Sequence, residues 1–490
     1  MDSSRVSRAI TWSMLAEIAA KIIVPISNII LARLLAPEVF GIVASINIIV
    51  SFSEMFTSGG VAKYIVNHEM NEKELIDVSN CSFALNLGIG ISIWALVAIF
   101  RNPVAAFIGC KGYTTELLVA SLLIPLSSYS TIQEALYQRN LEYKVLFYNR
   151  LVTSFIPFIV TIPLAYLGYG CWSIICCNIV GQIAKILIFS FRSTFKIKPL
   201  FDLTVAKNML SYSFWNYLDA LSLWATDWID ILIIGNLLGS YYTGLYRNGQ
   251  SLVTSLFSII TASMRSVIFS TLSKYQNDRD QLFEQYLSFQ KGLAFIVLPL
   301  GVGIFCYRRF LVDLFLGAQW TDVTFFVGIW AISIGLVSVY STPSREALRA
   351  YGMPKFAFLS QLILMIFVIS GTLITSKIGF DALCITRSIV ALLIIVIHLI
   401  VLKYKVGFKI SRIIGATCPI YVGIAGMAVF NYFIYKPNYS FVYSLACIFA
   451  CSIVYFAIMF IFTDYRNMEI KFLEKAISSA KSIIMRKRRR

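Results

Sequence analysis

The stretch LLAPEVFGI at residues 34–42 returns as LLGSYYTGL at residues 237–245. Leu34-Leu35-Ala36 lies over Leu237-Leu238-Gly239, Gly41 over Gly244 and Ile42 over Leu245, all at an offset of 203 residues. Trp12 lies over Trp215 at the same offset. A second match, at offset 212, sets Glu134-Ala135-Leu136 over Glu346-Ala347-Leu348. Two matches at nearly one offset mark an internal duplication, the feature to settle before any other.

Around the repeat the chain is too apolar for water. Of its 490 residues 58% are hydrophobic and 14% charged, with a mean hydropathy of +0.77. Soluble domains sit near ~45–50% and ~25%. A disordered chain, a disulfide scaffold and a nucleic-acid-binding domain are therefore excluded. The net charge of +17 comes from Lys and Arg that punctuate apolar runs and do not gather on one module. Runs of about 20 apolar residues are the length of a membrane-crossing helix. The chain has fourteen: 9–33, 40–62, 78–100, 116–137, 147–167, 171–191, 209–237, 242–272, 288–306, 322–344, 355–376, 380–402, 411–434 and 440–463. The fold expected is an all-α polytopic membrane protein.

The two matches place span one over span seven and span four over span ten, so the repeated unit is six helices. This divides the chain into an N-terminal lobe 1–191, a cytoplasmic linker 192–208, a C-terminal lobe 209–402, accessory spans 403–463 and a tail 464–490. An even number of spans gives both lobes the same orientation, related by an axis along the membrane normal, with alternating access between them. Charge sets the orientation. With the N-terminus inside, thirty of the 42 Lys and Arg fall on the cytoplasmic side and six on the outer loops, so both termini are expected in the cytoplasm. In the tail Ile470, Leu473, Ile477, Ala480 and Ile484 recur at helical spacing before the basic run 486–490. An amphipathic helix on the anionic inner leaflet is the expectation.

The ten cysteines are scattered without a CxxC motif, and His68 and His398 lie far apart. Neither a disulfide framework nor a metal site is expected, and no cofactor. The first apolar stretch carries Glu17 and Lys21 and lacks a small-residue cleavage site, so it reads as a span and not a signal peptide. No GxxxxGK[ST] motif occurs. Transport would have to run on gradients.

Ionisable residues inside a span cost several kcal/mol and belong on a wet cavity or beside a partner. Span one carries Ser13, Glu17, Lys21 and Asn28 on one helical face. Span seven repeats the device with Asn216, Asp219, Asp227 and Asp230. Span eight adds Arg247 and Arg265, five whole turns apart, and Arg387 lies early in span twelve. The plain alternatives are a self-satisfied Glu17–Lys21 pair, helix-end aspartates, and arginines that snorkel to an interface. Lys185 and His398, near span ends, read as snorkelling and interfacial. Mid-span prolines at 25, 125, 157, 163, 299, 343 and 419 mark expected kinks.

Five stretches carry a resemblance: LARLLAPEVFGIVASINIIVSF (31–52), LYQRNLEYK (136–144), GYGCWSII (168–175), DILIIGNLLGSYYTGLYRNGQSL (230–252) and SVIFSTLSKYQND (266–278). In this order the chain resembles the bacterial polysaccharide exporters of the MOP flippase superfamily, specifically the oligosaccharide repeat-unit flippases of the Wzx type, WzxC-like branch. The resemblance implies two six-helix bundles forming a MATE-like V around a cavity, plus two peripheral helices. It implies movement of an undecaprenyl-diphosphate-linked oligosaccharide across the bacterial inner membrane, for O-antigen, capsule or exopolysaccharide. Coupling to a proton or sodium ion is implied too, and a polysaccharide polymerase and chain-length regulator as partners. No nucleic acid is expected. The family has no fixed cation motif to align, so the diphosphate is assigned by helix phase and charge to Lys21, Arg247, Arg265 and Arg387. Glu17, Asp219 and Asp227 are assigned to ion coupling. The competing readings are a lipid II or multidrug exporter of the same superfamily, or a membrane-embedded glycan polymerase. The mixed arginines argue against a drug pocket. Outer loops of about fifteen residues leave a polymerase no acceptor-handling domain.

Overall fold

A computed structural model describes residue 12 and residues 23–59, 61–193, 197–436, 440–463 and 465–466. All its regular structure is helical, and no strand occurs among the described residues. The helices begin with α1 (Ile23–Leu34), α2 (Pro37–Gly59), α3 (Val61–Asn67), α4 (Glu72–Ile99), α5 (Arg101–Phe107), α6 (Thr114–Ser121) and α7 (Leu123–Arg139). Next come α8 (Tyr143–Ile156), α9 (Ile162–Tyr166), α10 (Cys171–Arg192), α11 (Leu203–Leu237), α12 (Ser240–Lys274) and α13 (Arg279–Cys306). The remainder are α14 (Arg308–Phe315), α15 (Thr324–Ala350), α16 (Pro354–Thr375), α17 (Phe380–Val401), α18 (Ile410–Gly415), α19 (Cys418–Ile434) and α20 (Phe441–Met459).

Among the described residues twelve helical segments are long and apolar enough to cross a bilayer. The two expected spans that do not appear among them have separate reasons. Only Ile23–Leu34 of span one is described. Span eight is a continuous helix, α12, whose side chains are described only in part. Span seven lies within α11, whose 35 residues reach about 52 Å at 1.5 Å per residue. That exceeds a ~30 Å hydrocarbon core, and Ala220–Leu237 within it is apolar enough to cross.

Local signals set the helix ends. Asn71 and Glu74 form a reciprocal capping box at the start of α4, with bonds of 2.9 and 3.1 Å. Asp202 accepts from the Thr204 and Val205 amides to start α11, and Asp278 accepts from Gln281 to start α13. Of the expected kinks, Pro157 opens a π-helical turn, Pro157–Thr161, between α8 and α9. Pro299 and Pro343 lie inside helices, whereas Pro419 sits in the first turn of α19, where its missing N–H costs nothing.

The chain clusters into two compact units that do not follow chain order. One comprises Met1–Gln250, Phe315–Val323 and Gln361–Arg387; the other Ser251–Leu314, Thr324–Ser360 and Ser388–Arg490. In the first, α2 packs on α11, where Trp224 Nε1 donates to Ser51 Oγ at 3.0 Å and the Phe52 and Trp224 rings meet at 4.9 Å. In the second, α13 and α15 pack closely, helped by Gly301 against the Ala331 carbonyl. Hydroxyl bonds join its helices: Tyr286 to Ser344 at 3.1 Å, Tyr340 to Thr417 at 2.6 Å and Ser341 to His398 Nδ1 at 2.9 Å. His398 is thus a buried, bonded core residue.

The repeat is visible in the first unit as reciprocal contact. A Cβ on Gly41 would lie 1.8 Å from the Ser240 carbonyl oxygen, and one on Gly244 would lie 1.9 Å from that of Pro37. Pro37 and Ser240 are themselves related by the offset of 203. The pattern recurs one turn away. Trp320 Nε1 donates to the Ala32 carbonyl at 2.8 Å, while Asn236 Nδ2 donates to that of Phe107 and Gly109 abuts Gly235. Ala32 and Gly235 share the first offset, and Ile108 and Trp320 the second. Contacts that exchange two copies in this way are what a local two-fold axis produces.

Candidate functional site

Four helices of the first unit each turn a short polar stripe toward one cavity of about 820 Å³. Asn47, Ser51 and Glu54 of α2 are spaced i, i+4, i+7, as are Asn178, Gln182 and Lys185 of α10. That spacing puts three side chains on one helical face. Glu134 and Gln138 of α7 and Asn149, Arg150 and Thr153 of α8 complete the polar wall, and Trp228 of α11 adds an aromatic face. Inside, Lys185 Nζ lies 2.7 Å from Glu134 Oε2, and Gln182 Nε2 donates to Ser130 Oγ at 2.7 Å and to the Leu126 carbonyl at 3.1 Å. Asn149 Oδ1 is buried and has no hydrogen-bond partner among the described residues. A buried amide oxygen without a donor favours an entering hydroxyl or water. Two acids, two cations, a row of amides and an indole form a surface suited to a hydroxyl-rich, charged guest.

A second polar group lies nearby in the same unit and has the opposite character. Asp230, with no exposed surface, accepts from Tyr246 Oη at 2.5 Å, from Arg387 Nε at 3.1 Å and from the Ile231 amide at 2.8 Å. Arg387 is 6% exposed. The carboxylate and guanidinium satisfy each other, as buried charges must.

The sequence-assigned residues fall as follows. Arg387, expected on the cavity, is instead held in this buried pair and does not line it; a partner 157 residues away in sequence could not be read from helix phase. Arg247 stacks on Trp228, 4.5 Å from the ring centroid, one side chain behind the cavity wall. Asp227 is exposed on α11. The backbones at Asp219 and Arg265 lie in α11 and α12, but their side chains are outside the described residues, as are Glu17 and Lys21 and nearly all of the tail. Lys185, read from sequence as snorkelling, turns inward to Glu134. Glu54, Arg150 and Asn149 were missed. The available signal was the i, i+4, i+7 polar spacing on α2 and α10. The repeat-related glutamates are both paired, Glu134 with Lys185 and Glu346 with Arg349 at 3.2 Å. Among the described residues no cluster of His, Cys, Asp or Glu is arranged to hold a metal, and all ten cysteines are free.

The description "Polysaccharide biosynthesis protein" matches residues 30–325, more than half of the chain. The chain belongs to this family. Similar members include the succinoglycan biosynthesis transport protein ExoT of Rhizobium meliloti (strain 1021), 22% identical over 342 residues, covering 70% of this chain and 69% of that one. The lipopolysaccharide biosynthesis protein WzxC of Escherichia coli (strain K12) is 19% identical over 350 residues, covering 71% and 70%. Among solved structures, the lipid II flippase MurJ in an inward closed conformation superposes with a TM-score of 0.71 at 18% identity, over 94% of this chain and 99% of that one. At that identity the likeness is one of fold. The family match and these two relatives bear out the resemblance to bacterial polysaccharide biosynthesis transport proteins, and the likeness to MurJ bears out the fold it implies. This member of the polysaccharide biosynthesis family is accordingly a multi-pass membrane protein.

Proposed function

We propose that the protein moves undecaprenyl-diphosphate-linked oligosaccharide repeat units across the bacterial inner membrane for surface polysaccharide assembly. Both termini lie in the cytoplasm, and fourteen spans form two six-helix lobes, 1–191 and 209–402, that alternate access. The observation that carries this reading is the 820 Å³ cavity whose wall joins amides and Trp228 to Lys185 and Arg150. Amides and an indole face suit sugar rings; an ammonium and a guanidinium suit a diphosphate. Arg247 stands behind Trp228; Lys21 and Arg265 remain assigned by helix phase. Arg387 joins them only where the Asp230 pair opens. Proton or sodium coupling is assigned to Glu17, Asp219 and Asp227, and a polymerase and chain-length regulator take the product.

The test is surface polysaccharide output in a strain lacking the gene, complemented at equal protein level. Removing one charge-assisted contact of ~1.5–3 kcal/mol lowers affinity about ten- to a hundredfold, so Lys185→Met and Arg150→Gln should cut export, with lipid-linked repeat units accumulating. Full export from glutamine variants at Lys21, Arg247, Arg265 and Arg387 removes those four from the site. A strain that keeps its polysaccharide but loses lipid II export overturns the substrate assignment.

A further inference from the structure

Two carboxylates in the cavity lie in the field of one ammonium. Lys185 Nζ bonds Glu134 Oε2 at 2.7 Å, and Glu54, across the cavity on α2, lies within its electrostatic range. The ammonium also sits over the Phe189 ring at 5.8 Å. Among the described residues the other titratable groups on the wall are Tyr143 and Arg150 of α8 and Cys177 of α10, and α11 contributes Trp228. Among the described residues the wall thus carries two negative and two positive formal charges, and the Glu134–Lys185 contact is an ion pair that an entering anion meets.

We propose that Glu134 and Lys185 form a proton-linked anion latch: an anionic group entering the cavity takes Lys185 from Glu134, and the released carboxylate takes up one proton. The inference rests on the substrate reading above, because it requires an anionic guest. The charge balance is simple. A neutral ammonium–carboxylate pair, one anion and one proton become an ammonium–anion pair and a neutral carboxylic acid, the O–H bond on Glu134 being the only one formed. Without the proton, the freed carboxylate would face both Glu54 and the anion, and like charges in a partly enclosed site repel strongly. The Glu134 and Lys185 side chains keep 39% and 24% of their surface accessible, so water and protons reach the pair. Linkage is reciprocal: the proton favours the anion as much as the anion favours the proton. A dianionic head loaded this way crosses with one unit less negative charge.

The experiment uses the purified full chain in nanodiscs with farnesyl diphosphate as probe. Calorimetry at pH 7 in two buffers of different ionisation enthalpy counts the protons taken up per probe bound. The parent should take up about one proton more than Glu134→Gln, and its affinity should fall up to about tenfold per pH unit more steeply over pH 6–8. The probe's own ionisation is common to both proteins and cancels in the comparison. Lys185→Met should bind about ten- to a hundredfold more weakly. Equal proton uptake by the parent and Glu134→Gln overturns the latch while leaving the substrate reading intact. Loss of the extra proton in Glu54→Gln but not in Glu134→Gln overturns the assignment to Glu134. Absence of probe binding by the parent overturns the substrate reading, and the latch with it.

Discussion

Alanine at Gly41 would put a methyl carbon 1.8 Å from the Ser240 carbonyl oxygen and 2.9 Å from the Gly244 amide nitrogen. A carbon–oxygen contact settles near 3.3–3.6 Å, so the first turns of α2 and α12 must part by about 1.5 Å. Both obstacles are backbone, so no side-chain rotation relieves them. Overpacking costs ~1–3 kcal/mol, and with no escape the upper end applies. Against this, alanine gains ~0.5–1 kcal/mol over glycine inside a helix. The net penalty of about 2 kcal/mol disfavours the closed contact roughly thirtyfold. Gly244→Ala should do the same, because its methyl meets the Pro37 carbonyl at 1.9 Å. The assay is maleimide labelling of Ser45→Cys in a cysteine-free background. Ser45 lies one turn beyond Gly41, fully buried, near Gly235. Its labelling rate should rise by about the same factor in either variant, and surface polysaccharide output should fall. Gly88→Ala is the control, since nothing lies within 4 Å of its new methyl. Parent-like labelling and export in both Gly41→Ala and Gly244→Ala would refute the reasoning that this contact has to open and close.

Truncating one partner of the buried pair, Arg387→Met, leaves Asp230 charged and unpaired at ~3–5 kcal/mol. Thermal unfolding should show a large loss, mostly recovered in the double variant Asp230→Leu/Arg387→Met. Arg139 donates to the Ile65 and His68 carbonyls at 2.6 and 2.5 Å, tying down the end of α3. Arg139→Gln should cost about 1–3 kcal/mol, read as a lower melting temperature with farnesyl diphosphate affinity unchanged. Trp320→Phe removes the indole donor to the Ala32 carbonyl at ~1 kcal/mol, again read in thermal unfolding.

Apolar run length, the asymmetry of Lys and Arg, and the 203-residue repeat could all be read from the chain. Each is a property of neighbouring residues or of self-comparison, and needs no knowledge of which helix meets which. Thus Gly41 and Gly244 stood out before their contact was known, and twelve of the fourteen segments expected to cross the membrane coincide with described helices. Helix phase also groups the polar residues of a single helix, Asp230 with Asn216, Asp219 and Asp227 on span seven and Arg247 with Arg265 on span eight. Helical phase does not say which faces of different helices converge. Lys185 looked like a span-end cation because its partner Glu134 lies 51 residues away, on α7. Arg387 looked like a free cavity cation because Asp230, 157 residues distant, takes its charge out of play. The apolar pattern commits the chain to membrane helices, since the bilayer leaves backbone polar groups no other way to be satisfied. Which polar faces then share a cavity, and which charges cancel in the core, depends on the packing of helices distant in sequence, and only the tertiary structure decides it.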